Sequence, residues 1–517
     1  MNGFPDLTIL TVTPLVAAVI LAGLDFSRRG SARGIALASS FVTLAHALCL
    51  WSRFDTGVAD LQFVERHSWI PSLAVDYFLG ADGLSLLMIL LTAVVVPGAI
   101  AAAWKIETRA PLYFSLLLFL QAGLIGTFTA QNFFHWFLFW ELALIPAFFL
   151  IKLWGGSGRG PAAMQFFTYT MVGSVALLLG FLGLYQITNT FNFSELAQLA
   201  RSGQLTALIN VSPILPWLKN EDAVVMTLFW CVFLGLAVKV PLMPLHGWLP
   251  STYSEAPAST TIVLTGLMSK MGVYGFLRLL LPIFPAQIRA TLDLLLVLAI
   301  ATIVLGALAA FAQRDLKRVL AYSSISHLGY CLLGIFAAAA AGDNTGLAGE
   351  KQAALNGVLL QMFGHGLTAA TLFFLVGYLE DRNNGRRAID DFGGLRQASP
   401  ILAGLMGIAL FASLGLPGLS GFPAEFLIFK GVFPLAKWAA ALAAIGLLIT
   451  ATYILRIIHH VFNGPLSDGR PAVRDLQFGE CIVLVPAVVL MFALGFFPQV
   501  LIGLFNTTIV RLVEGLG

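Results

Sequence analysis

Residues Ala223–Pro250 read AVVMTLFWCVFLGLAVKVPLMPLHGWLP. The stretch opens as an apolar run, and about 20 such residues cross a bilayer as a helix. It then places Lys239 well inside the run, where a charge costs several kcal/mol near the bilayer centre. Pro241 and Pro244 follow at once, each removing a backbone donor and crowding the preceding turn. The spacing predicts a membrane span, 223–245, that breaks near mid-membrane beside a lysine. Backbone groups freed by such a break are tolerated where they are buried in protein or line a water-filled cavity. A second stretch, Gly415–Glu425, reads GLPGLSGFPAE and repeats the pattern, with Pro417, Gly421 and Pro423 as breakers and Glu425 as the charge.

The rest of the chain supports a membrane reading. Its 517 residues are 58% hydrophobic and 11% charged, against about 25% charged in an ordinary soluble domain. Mean hydropathy is +0.89. Run length gives about fourteen helices, near 6–24, 35–52, 79–103, 111–130, 132–151, 162–186, 223–245, 260–281, 291–312, 319–340, 353–379, 400–429, 434–459 and 478–505. The expected fold is an all-α polytopic membrane protein with helices seven and twelve broken. Each break falls about 130 residues after the start of span four or span nine. That recurrence predicts two five-helix repeats, inverted because the number of helices is odd. The expected units are 1–110 (helices 1–3), 111–281 (helices 4–8), 291–460 (helices 9–13) and 461–517 (helix 14).

Positive charge alternates between connectors. One set of connectors carries 17 Lys and Arg residues and the other 8, so the first faces the cytoplasm and both termini face outward across the cell membrane. The first apolar stretch has its basic residues after it and reads as a retained span, not a cleaved signal. The outer connector 187–222 contains Phe193–Leu199, which reads as a short amphipathic surface helix. The polar inner connector 380–399 is expected to meet solvent or a partner. The four cysteines lie in apolar runs with no CxxC spacing, which points to small buried hydrophobes and away from disulfides or metal sites. No basic cluster suggests nucleic acid, and no nucleotide loop, haem-like histidine pair or flavin signature suggests a resident cofactor.

Six ionisable residues fall within spans or at their breaks: Glu141, Lys239, Lys270, His327, His365 and Glu425. An intramembrane ionisable residue is a functional hypothesis by default. A Glu141–Lys239 pair that opens and closes would be a two-state proton switch, because desolvation and an opposite charge move a pKa in opposing directions. The other reading is a fixed buried pair that specifies helix packing. Lys270, His327 and His365 are either a relay or separate cross-helix bonds. Glu425 would end the second half. Glu255, in the turn HGWLPSTYSEAP, is either a proton-uptake group or a solvated cap. Asp82 and Arg278 lie near span ends and are expected to snorkel.

Several stretches carry a family resemblance: FVERHSWIP…LGADGLSLLMILLT, FWELALIPAFFLI, KVPLMPLHGWLP…EAP, LMSKMGVYGFLR, DLKRVLAYSSISHLGY, GHGLTAATLFFLVG and GLPGLSGFPAEFLIFKG. In order and spacing over about residues 60–465, they resemble subunit M of respiratory complex I, an antiporter-like membrane-arm subunit. The resemblance implies fourteen helices with inverted repeats, and proton translocation driven by quinone reduction elsewhere in the complex. It further implies other membrane-arm subunits as partners, with quinone bound on them. By motif position Glu141 and Lys239 match the first-half pair, Lys270, His327 and His365 the central residues, and Glu425 the second-half terminus. Glutamate at 425 favours subunit M over subunit L or its counterpart in Mrp-type antiporters, both of which typically carry lysine. One departure stands out: the family usually reads WLPDAH, whereas this chain has Trp248-Leu-Pro250-Ser251-Thr252-Tyr253. A gradient-driven Mrp-type antiporter, a hydrogenase- or ferredoxin-linked relative, and a non-transporting scaffold are the competing readings.

Overall fold

The computed structural model describes residues 4–209, 221–340, 345–464 and 473–516. Apolar run length sets its architecture. The spans in order are Asp6–Ala22, Arg29–Arg53, Gly83–Ala102, Ala110–Thr129, Phe133–Trp154 and Arg159–Thr188. The seventh is Glu221–Lys239 with Trp248–Glu255, and the eighth is Ala258–Ile283. Leu292–Ala312, Leu316–Ala340 and Ala348–Arg382 follow, then Pro400–Leu414 with Gly421–Leu435, Lys437–Phe462 and Phe478–Phe496. Twelve of these helices are long and apolar enough to cross a membrane, and Asp6–Ala22 and Pro400–Leu414 are shorter apolar helices. Spans eight, ten and eleven are almost wholly buried, whereas spans two, thirteen and fourteen lie at the periphery. Lys270, His327 and His365 therefore sit on the three helices best shielded from lipid.

Both breaks are present. At the first, Val240–Gly247 is non-helical, and its freed groups find partners in protein: Trp248 Nε1 donates to the Val238 carbonyl at 2.9 Å and Met243 N to Thr302 Oγ1 at 3.0 Å. At the second, the helix stops at Leu414 and restarts at Gly421. Gly415 and Gly418 are left-handed, at φ 77° and 92°, a conformation that favours glycine. This corrects the assignment of breakers at the second site. Pro417 lies in the interruption, but Gly421 begins the second half-helix and Pro423 lies in its first turn. There a missing N–H costs nothing, because those N–H groups have no intrahelical partner anyway.

Three further features differ from the expected outline. The third span starts at Gly83, not 79, because Gln62–Ile70 (β1) and Val75–Ala81 (β2) form an antiparallel hairpin with Arg66 opposite Phe78. Asp82 caps the span, accepting from Ser85 N at 3.0 Å. The unit 461–517 holds two described helices, not one. Phe478–Phe496 ends before Pro498, and Gln499–Glu514 folds back against span three, with Thr508 Oγ1 accepting from Gly83 N at 3.1 Å. Proline at 498 starts the new helix where its missing N–H is harmless. Cys49 is exposed on the bundle, and Cys331 is buried.

Candidate functional site

Four helices converge on one buried polar array. Lys270 Nζ donates to the Thr265 carbonyl at 2.6 Å and to His365 Nδ1 at 2.8 Å. The His365 and His327 rings lie 5.1 Å apart between centroids. His327 Nδ1 is 3.4 Å from Glu425 Oε1, and its Nε2 is 3.2 Å from Ser413 Oγ. All four ionisable residues are buried. Two local devices set the ends. Around Lys270 the helix widens into π turns, Leu264–Met268 and Phe276–Leu280, and such turns are rare and concentrate at functional sites. At the far end, a Cβ at Gly415 would lie 2.5 Å from Glu425 Oε2, so the absence of a side chain there makes room for the acid.

His327 has two incompatible partners. Gln361 Nε2 lies 3.3 Å from the same Nδ1 that faces Glu425. Accepting from the Gln361 amide requires an unprotonated Nδ1, whereas donating to the Glu425 carboxylate requires a proton there. The two contacts therefore call for different protonation of Nδ1.

The first-half residues are not joined in this way. Glu141 and Lys239 make no mutual hydrogen bond or ion pair: Glu141 Oε1 and Lys239 Nζ are both buried without a hydrogen-bonding partner. Lys239 Nζ instead sits 4.5 Å from the centroid of the Trp140 ring. Trp140 is held by stacking on Trp136 and by donating from Nε1 to Ser174 Oγ at 3.1 Å.

Glu255 is neither bare nor simply solvated. Its Oε2 accepts from Gly158 N at 2.7 Å, and Oε1 lies 3.8 Å from Arg387. Arg387 also binds Asp315 at 2.6 Å and Glu380 at 2.7 Å, and Glu380 binds Lys317 at 2.6 Å. Burial works against the Arg387 charge, but Asp315 and Glu380 outweigh it and hold its pKa above that of a free guanidinium. Connector 380–399 is thus bound in part to the bundle's own end. Asp82 and Arg278 do not snorkel apart either: they form a 2.5 Å ion pair that Ser85 and Tyr274 complete. A hydrogen-bonded pair lowers the desolvation cost that each would meet alone.

Sequence reasoning missed Gln361, Ser413, Thr265 and Trp140. Gln361 did leave a signal, as a polar residue one turn before His365 on the same helix face. The π turns left none.

A set of membrane helices, two of them broken, around a buried Lys–His–His–Glu array defines an antiporter-like membrane subunit. A family model described as NADH:quinone oxidoreductase/Mrp antiporter, membrane-spanning, matches residues 130–450, and this chain belongs to that family. It is 36% identical to NADH-quinone oxidoreductase subunit M of Rhodobacter capsulatus, over 98% of this chain and 96% of that protein. A chain of respiratory complex I from Thermus thermophilus with bound NADH superposes with a TM-score of 0.84 at 30% identity, covering 99% of this chain and 100% of that one. A chain of the Mrp complex from Dietzia sp. DQ12-45-1b superposes with a TM-score of 0.83 at 22% identity over 99% of each, a likeness of fold alone.

Proposed function

We propose that this chain conducts protons across the cell membrane as a membrane-arm subunit of a complex I-type quinone oxidoreductase. Electrons move on partner subunits, where quinone also binds, and this chain contributes the proton path. Both termini lie on the outer side, as the charge bias of the connectors favours. The recurrence of broken spans supports two inverted repeats, helices 4–8 and 9–13.

The observation that carries the reading is the run of contacts from Lys270 through His365 and His327 to Glu425. Lys270 gives a proton to His365 Nδ1, leaving a neutral amine and an imidazolium. Passage between the two rings needs a rotamer change or one bridging water. Once His327 carries the proton it releases Gln361 and donates to Glu425, and protonated Glu425 then releases it outward. In the first half, Lys239 leaves the Trp140 face to pair with Glu141, and the pair's closing and opening gates the supply to Lys270. Glu255 anchors the inner end of the bundle.

The test is Lys270→Met in the complete complex reconstituted into vesicles. The variant is expected to assemble and to lose proton uptake coupled to quinone reduction. Normal uptake would overturn the reading. Proton movement that persists without electron transfer would favour gradient-driven exchange instead.

A further inference from the structure

Span eight carries a second buried charge that the path to Glu425 does not use. Lys270, Tyr274 and Arg278 recur every four residues and so share one face of the helix. Each π turn serves one of the two charges: Leu264–Met268 supplies the Thr265 carbonyl that holds Lys270 Nζ, and Phe276–Leu280 carries Arg278. Arg278 lies toward the end of the bundle opposite Glu255, the outer side in the proposed topology. Its Nη2 donates to Asp82 Oδ1 at 2.5 Å and to Ser85 Oγ at 3.2 Å, and its Nε donates to the Tyr274 hydroxyl at 3.2 Å. That hydroxyl donates in turn to the Phe128 carbonyl at 3.1 Å and lies 3.1 Å from Ser85 Oγ. One guanidinium thus joins spans three and eight and, through Tyr274, span four. The C-terminal helix Gln499–Glu514 covers this corner. A Cβ on Gly83 would clash with the Leu504 carbonyl, and Asn356 Nδ2 donates to Asn506 Oδ1 at 2.9 Å, which ties the same helix to span eleven.

We propose that the Arg278–Asp82 pair stops protons leaving Lys270 through this end of span eight, so that a proton on Lys270 departs through His365. The inference rests on the proton-conducting reading of Lys270. A hydroxyl passes protons on because its oxygen both accepts and donates, and Tyr274 and Ser85 would otherwise be stepping stones to the outer surface. A guanidinium has five donors, no acceptor, and a charge that proteins do not remove. Because Arg278 donates into both oxygens, a proton reaching either one next meets a group that cannot accept it. Arginine bars protons and cations from water-filled pores by the same electrostatics. Asp82 offsets the cost of burying the guanidinium, and its Oδ1 is taken by Arg278 and by Ser85 N. A purely structural pair would be bonded in the same way, so the deciding quantity is a proton leak.

The double variant Arg278→Gln with Asp82→Asn keeps side chains that hydrogen-bond, leaves no lone buried charge and retains a capping residue for span three. The complete complex carrying it is reconstituted into vesicles without electron donor, and the decay of an imposed pH gradient is followed. That decay is expected to be at least about tenfold faster than with the native complex, since a charge a few ångströms away changes a barrier by that much at intermediate dielectric. With donor present, fewer protons should be taken up per quinone reduced. Arg278→Lys restores the charge and should stay tight. Adding Lys270→Met to the double variant should abolish the leak, because the leaking protons come from Lys270. Decay at the native rate in the double variant overturns the role of the pair and leaves the proton-path reading standing. A leak that persists with Lys270→Met, an equal leak in Arg278→Lys, or a double variant that fails to assemble on a native gel assigns the pair to packing and overturns the inference. Coupled uptake that survives in Lys270→Met alone overturns both readings together.

Discussion

The two broken spans carry opposite charges and place them at opposite helix ends. Lys239 is the last residue of Glu221–Lys239, whereas Glu425 is near the start of Gly421–Leu435. A helix C-terminus favours a cation and an N-terminus an anion, by about 0.3–1 kcal/mol each. Each break thus suits the charge beside it. It does not set what that charge touches. Glu425 reaches His327 and through it two more helices, while Lys239 rests against an aromatic face with Glu141 unbonded nearby. One site is connected through a run of polar contacts; the other holds a buried lysine and a carboxylate that do not meet in this structure. An uncompensated charge is costly in such surroundings, so a pairing of Lys239 with Glu141 would relieve a cost that the Glu425 site does not carry.

The largest effect is expected at the connected site. Glu425→Ala should leave the fold intact and reduce proton uptake by about a hundredfold, the scale of losing a positioned acid. Glu425→Lys keeps a titratable group and should retain partial uptake. Equal, near-normal uptake by both variants in vesicles would show that the Glu425 end of the array carries no protons.

Glu141→Gln should come next. It removes the acid that Lys239 would meet on closing, an interaction of roughly 1.4 kcal/mol or about tenfold in uptake. The complex should still assemble, which native gel mobility checks. Unchanged pumping would reduce the contrast to one active half and one inert one.

The mildest variant is Trp140→Leu, which takes away the surface under Lys239. A cation–π contact of about 1 kcal/mol corresponds to about a fivefold change in how long the lysine stays unpaired. Proton uptake should shift by that much or less, and the new resting state should bring Lys239 and Glu141 together. A structure of the variant with the pair still apart would mean that Trp140 does not hold the lysine open.

Much of this was legible along the chain because the membrane imposes a one-dimensional rule. A run such as Leu292–Ala312 must form a helix in lipid, since every backbone group must be satisfied within it. The same rule makes Lys239, Lys270 and Glu425 conspicuous as charges in apolar runs, and Pro241 and Pro417 conspicuous as breakers. The hairpin 62–81 was harder to see: the apolar end of β2, residues 79–81, runs on into the span that follows, so hydropathy merged the two. The C-terminal turn at Pro498 was lost likewise, because apolar residues continue on both sides of it.

By itself the sequence determined the order of spans, the places where they break and the identity of the buried charges. These follow from composition over a window of residues and need no knowledge of neighbours. The tertiary structure decided which charge meets which. That His365 faces Lys270, that His327 stands between Gln361 and Glu425, and that Arg278 closes on Asp82 depend on helix rotation and contact between segments up to 196 residues apart. A shift of one residue turns a helical side chain by about 100°, enough to move it from a partner to a packed wall, and no apolar run records that angle.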